Sequence, residues 1–168
     1  MEQNVSMKIN ELPSPTWNWL KVNETSIKWS TKIEPCEIAA EGDAVATETE
    51  QLSDIETGAG READAIFATE NTAKYQILAD NAGQDKTVRL HISGRKDAHT
   101  AGCVEIVAKE NSTLTVVMDS RVAPDATKEE ESTAEASLAV RVRMKVESGA
   151  SVRLIQVQMP QELSLIHI

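Results

Sequence analysis

The chain has 168 residues, 40% of them apolar and 26% charged, with only 3% aromatic. A domain of that length buries about 70% of its unfolded surface, so it needs neither disulfides nor a structural metal, and its core must be built from Val, Ile, Leu and Ala. The formal net charge of −10 is concentrated in residues 34–70, where eleven acids face Arg61 alone. The rest of the chain is neutral, so no cluster of positive charge exists to meet nucleic acid or an anionic membrane.

Cys36 and Cys103 are the only cysteines. Far apart, with no secretory leader in residues 1–10 and no apolar run of membrane-spanning length, they imply free thiols and a reducing, cytoplasmic setting.

In chain order, residues 1–35 read as an irregular or partly helical N-terminal arm. Leu12-Pro13-Ser14-Pro15 is extended, because each proline fixes its own φ and biases its predecessor away from helix. Trp17, Trp19 and Trp29 all fall in this arm and are expected to dock on the body. Residues 36–74 read as an acidic linker with a short helix. The stretch 34–62 is rich in Ala, Glu and Thr and ends in the joint Gly58-Ala59-Gly60, which suits a loop. Ala63, Ile66, Phe67 and Ala73 fit one face of a helix over residues 61–75.

From Tyr75 the pattern changes to period two, the mark of strands with one buried face. Val88, Leu90 and Ile92 alternate with Arg89, His91 and Ser93. Val104, Ile106 and Ala108 alternate with Glu105, Val107 and Lys109. Leu114, Val116 and Met118 follow, then Leu138, Val140, Val142, Met144 and Val146, then Val152 and Leu154. Residues 119–137, with Pro124 and Glu129-Glu130-Glu131, read as a solvated loop.

The strands repeat. Ile106 through Val116 aligns with Met144 through Leu154 at a constant offset, with Asn111 over Gly149 at the corner. Asn and Gly are the residues that tolerate a left-handed corner. A repeated strand, corner and strand predicts a mainly β chain organised as a parallel β-helix, or solenoid, over residues 75–162. A sandwich or barrel stays open on periodicity alone. Those folds favour Asn-Gly or Asp-Gly hairpins, and neither dipeptide occurs.

Motifs for chemistry are sparse. There is no phosphate loop, HExxH, GxSxG or Rossmann glycine pattern. His91, His99 and Cys103 are the sharpest metal candidates by type. Their spacing matches no finger and supplies three ligands, so a surface histidine, a loop histidine and a small packed thiol describe them better. Cys36 stands between Glu34 and Glu37, which should raise its pKa and leave it an exposed, idle thiol. Arg141, Arg143, Lys145 and Arg153 form a basic row that could meet an acidic ligand, or serve as the solvent face of a ladder that resists edge pairing. No residue is assigned a catalytic, cofactor-binding or metal role.

Leu12-Pro13, with Trp17-Asn18-Trp19-Leu20-Lys21-Val22-Asn23-Glu24, resembles the N-terminal signature of SufD-like members of the SufB/SufD family. Val104 through Val116 is similar to a β-helix rung of that family, and Leu138-Ala139-Val140-Arg141 through Gly149-Ala150, then Val157-Gln158, to its next block. The resemblance implies a right-handed parallel β-helix and a scaffold for iron–sulfur cluster assembly rather than an enzyme. It implies a SufB-like subunit and a SufC-like ATPase as partners, with the cluster handled by the full complex and no cofactor held by this stretch. The chain is shorter than family members, so no family functional residue carries over. Leu163-Ser164-Leu165-Ile166-His167-Ile168 resembles a translated sequencing adaptor, and the expectation is a truncated chain whose residues 163–168 lie outside the fold. Outside the family, the pattern also suits a β-helix interaction module or a carbohydrate-active β-helix enzyme. The latter needs a carboxylate cluster on one sheet face.

Overall fold

The computed structural model of the chain describes residues 4–9, 25–30, 32–52, 61–68, 70–80, 82–95, 98–122, 136–158 and 165–167. The described chain is mainly β, with one short helix. Six strands in two sheets make its body. Strands β6 (Ala73–Ala79), β8 (His99–Ala108) and β10 (Ser137–Val146) stack in parallel in one sheet, and β7 (Asp85–Gly94), β9 (Thr113–Val122) and β11 (Ser151–Gln158) stack in parallel in the other. The sheets curl toward each other, and the alternating residues of both meet in one core. Val88, Leu90, Ile92, Val104, Ile106, Leu114, Val116, Met118, Leu138 and Val140 are its centre, all at most 1% exposed.

The repeat read from the sequence is the strand register itself. Met144 faces Ile106, Val146 faces Ala108, Val152 faces Leu114 and Leu154 faces Val116, an offset of 38 residues that the Lys109–Glu147 pair shares. The corner between paired strands stacks three left-handed residues: Gly83 (φ 79°), Asn111 (φ 58°) and Gly149 (φ 69°). The amide of Gly83 donates to the carbonyl of Asn111 at 3.2 Å, and that of Asn111 to Ser148 at 3.0 Å.

The edges depart from a purely parallel stack. Strand β4 (Glu37–Gly42) pairs antiparallel with β7, and β5 (Val45–Glu48) pairs antiparallel with β6, so both sheets are mixed. Residues 37–48, expected to be an acidic loop, instead fold back across the end of the stack. Ile38 faces Ile92 and Ala40 faces Leu90, so small apolar residues alternate between the acids and cap the core. Gly42 (φ 142°) makes the reversal, and a side chain there would strike the Thr87 carbonyl.

Other expectations shift. Within the arm read as irregular or helical, β1 (Asn4–Ile9) and β2 (Thr25–Ser30) form an antiparallel pair. Strand β3 (Ile33–Pro35) lies along the start of β8. Helix α1 spans Arg61–Phe67 with Ala63, Ile66 and Phe67 buried, but it stops short of residue 75. Ala73 enters the ladder with β8, and Asn71, Thr72 and Tyr75 are weak helix formers. Strand β9 continues to Val122, into the stretch expected to be loop. Strand β12 (Leu165–His167), in the segment expected to lie outside the fold, pairs with Leu138–Val140 of β10. Met144 and Val146 are each 48% exposed, although alternation puts them on the core side. Among the described residues, β12 stops short of their level and no strand covers them.

Candidate functional site

The densest polar chemistry lies on the outer face of the β6–β8–β10 sheet, beside α1. Strand β8 is buried along almost its whole length, because Trp29, Ile33, Ile66 and Phe67 pack over Ala101, Cys103 and Ala139. The sequence placed Glu105 and Val107 on a solvent face. They are instead 0% and 7% exposed, since their cover comes from remote segments. Directly across from Cys103 in the register is Arg141. Its Nη1 donates to Asp64 Oδ1 of α1 at 3.1 Å, and its guanidinium stands 4.8 Å from the centroid of Phe67. Burial pushes the Cys103 thiol up, against the opposing pull of Arg141, Arg143 and Lys74. One step along, Gln76 Nε2 donates to Glu105 Oε2 at 2.7 Å, and Arg143 faces Glu105 across the strands. This arrangement clamps a helix to a sheet. Its thiol is neutral and shielded, so it has no access to an electrophile.

Cys36 corrects an expectation. It is 5% exposed, not an exposed thiol, and its Sγ occupies the space a side chain at Gly102 would need. Its pKa is pushed up to about 12, chiefly by burial, while Glu37, the acidic neighbour, is the least of the contributors. The alternation Cys36, Ile38, Ala40 was the signal in the sequence. Cys36 also forms part of the wall of a cleft of about 880 Å³ at the capped end, lined by Glu37, Glu48, Glu50, Glu70 and Lys74 among others. Lys74 Nζ donates to the Glu50 carbonyl at 3.1 Å, and Arg95 at its rim pairs with Glu34 at 2.9 Å, so the cleft is acidic with its cations already engaged.

The candidate metal ligands do not converge. His91 points out of the β7–β9 sheet, 3.5 Å from Asp119 Oδ2, an oxygen that Arg121 also holds. His99 opens β8 rather than lying in a loop. Its Nδ1 is 2.6 Å from Ser137 Oγ, and its ring sits 5.4 Å from that of Trp29. Cys103 shares the outer face of β8 with His99, but His91 belongs to the other sheet. Among the described residues no group of three or more His, Cys, Asp or Glu is placed to hold a metal ion.

The basic row also divides. Arg141, Arg143 and Lys145 lie on β10 and Arg153 on β11, in different sheets, and Arg141 is buried. Trp17, Trp19, Gly58-Ala59-Gly60 and Glu129-Glu130-Glu131 lie outside the described residues.

No family model, curated protein or solved structure matches the chain. Among the described residues no helix is long and apolar enough to cross a membrane.

Sequence reasoning missed the Arg141–Asp64–Phe67 clamp and the buried Glu105. The latter had a signal. Glu105 is the one charge inside Val104-Glu105-Ile106-Val107-Ala108, and a charge within an apolar run is either an exposed face or a paired interior.

Proposed function

We propose that the chain is a scaffold element of a SufB/SufD-type complex for iron–sulfur cluster assembly, carrying no catalytic centre of its own and working through protein partners in the cytoplasm. Its rungs belong to a right-handed parallel β-helix, the hand that crossovers between parallel strands of one sheet nearly always take. A SufB-like subunit is its scaffold partner, and a SufC-like ATPase supplies nucleotide hydrolysis. The cluster is cargo of the complex rather than a resident of this chain.

The observation that carries the reading is the stacking of Ile106–Val116 under Met144–Leu154 at the 38-residue offset. Both stretches overlap the blocks that resemble the family, Val104 through Val116 and Leu138 through Ala150. The chemistry described above is consistent with it, since the thiols are shielded and the polar clusters hold elements together.

The test is affinity purification of the tagged protein from its own cell, with mass spectrometry of what accompanies it. Co-purification of a SufB-like chain and an ATPase is the expected result. A protein that elutes without either partner overturns the reading and leaves a β-solenoid interaction module.

A further inference from the structure

We propose that the outer edge of β4 takes up an extended basic segment of a partner protein, one in which lysine or arginine alternates with apolar residues, as an added strand. This goes beyond the scaffold reading and does not depend on it.

Strand β4 ends its sheet, and among the described residues no strand pairs with its second edge. It lies inside the described run 32–52, between β3 and the turn into β5. The amide of Asp43 donates to the Thr87 carbonyl at 2.9 Å, which sets the phase of the antiparallel ladder. Glu37, Ala39 and Glu41 therefore turn their backbone groups toward β7, and Ile38 and Ala40 turn theirs to the open edge. Such an edge is a template for another strand. A peptide added to it draws affinity from main-chain hydrogen bonds and specificity from alternate side chains.

The cap also leaves core to cover. Ile38, Ala40, Ala44 and Ala46 pack on the core but are only partly buried, whereas Leu90 and Ile92, opposite Ala40 and Ile38 on β7, are 0% exposed. An added strand would set its own inward side chains beside Ile38 and Ala40, so those positions call for apolar residues.

Charge selects the occupant. Residues 37–50 carry Glu37, Glu41, Asp43, Glu48 and Glu50 and no base. Across the ladder Arg89 stands opposite Glu41, while Glu37 faces Ser93. Arg95 is held by Glu34 at 2.9 Å. The outward residues of β4 at 37, 39 and 41 are all exposed, and the outward residues of an added strand would lie beside them, directly or on the diagonal. Lysine or arginine there meets Glu37 and Glu41, and Ala39 between them leaves a surface for a long methylene stem. A second copy joined edge to edge through β4 would oppose those carboxylates, and nucleic acid or an anionic membrane would be repelled.

The probe is a capped peptide of alternating lysine and valine, as long as β4, titrated onto the full chain and followed by amide hydrogen exchange. Exchange at Ile38 and Ala40 should slow on binding, and affinity should fall about tenfold or more from low to high salt. The same peptide with every amide N-methylated keeps its charges but cannot donate, and should not bind. Glu37→Lys/Glu41→Lys, shown folded by circular dichroism, should lose the lysine peptide and gain a matching glutamate–valine peptide. A wild-type chain that does not bind the lysine peptide overturns the proposal. So does equal binding of the N-methylated peptide, which would reduce the contact to charge alone. Protection of Ile38 and Ala40 that rises with protein concentration in the absence of peptide would give the edge to a second copy, and also overturns it.

Discussion

Asn111 and Gly149 stack at the corners of successive strand pairs, both left-handed at φ 58° and 69°, and a side chain at residue 149 would strike the Asn111 carboxamide. Position 149 is therefore restricted twice, by its backbone and by its neighbour. Gly149→Ala should cost about 1–2 kcal/mol, read as a lower urea midpoint. In an Asn111→Gly background the steric part disappears, and the same substitution should cost less. Equal costs in the two backgrounds would show that the neighbour plays no part.

The thiol of Cys36 gives the fold an alkaline limit. Its pKa rises from 9.0 to about 12 on burial. Below pH 9 the folded and unfolded chains both keep the proton, and this group leaves stability unchanged. Between about 9 and about 12 the unfolded chain releases the proton while the folded chain retains it. Stability must then fall as pH rises, by about 1.4 kcal/mol per pH unit from this group. Cys103, also raised by burial, acts in the same direction. Cys36→Ala should flatten the alkaline limb of a stability–pH curve. An unchanged limb would mean that Cys36 ionises in the folded chain as it does in the unfolded one.

The stacked strands were legible because the inward residues at their centres are apolar and each corner holds Asn or Gly. The period of two and the 38-residue offset are then properties of the sequence. The cap was not legible. In Glu37-Ile38-Ala39-Ala40-Glu41-Gly42 the inward positions are Ile and Ala, and the small alanine beside flanking acids looks like solvated loop. Nor could the two-sided burial of β8 be read locally, because Trp29, Ile66 and Phe67 arrive from elsewhere. The failure at Cys36 has the same origin. Sequence neighbours suggested exposure, whereas its burial is set by Gly102, which leaves room for the sulfur.

Arg141 fixes α1 to the sheet, with a side chain 10% exposed against 41% for its partner Asp64. The asymmetry predicts unequal mutants. Asp64→Asn removes a charge that water already screens and should cost less than about 1 kcal/mol. Arg141→Ala loses the ion pair, the contact with the Phe67 face and the packing of its methylene stem, about 2 kcal/mol together. Hydrogen exchange over residues 61–67 should speed up in Arg141→Ala, and Cys103 should become open to maleimide. A Cys103 that stays unreactive while the helix amides exchange faster would show that the thiol is shielded by the strands and not by the clamp.

Glu105 is the charge this fold can least spare. Its side chain is fully buried, it accepts from Gln76 at 2.7 Å, and Arg143 stands opposite in the register. Glu105→Ala strips the acceptor from a half-buried amide and takes the negative charge from beside a cation, and should cost about 2–3 kcal/mol. Glu105→Gln keeps shape and acceptor but loses charge, so it separates the two effects and should cost less. Pairing each with Arg143→Met in a double-mutant cycle measures how far the two positions act together, and a coupling of about 1 kcal/mol or more is expected. The pattern follows from where the charge lies. On an exposed strand face Glu105→Ala would change the urea midpoint little, and such a result would place the carboxylate in contact with water.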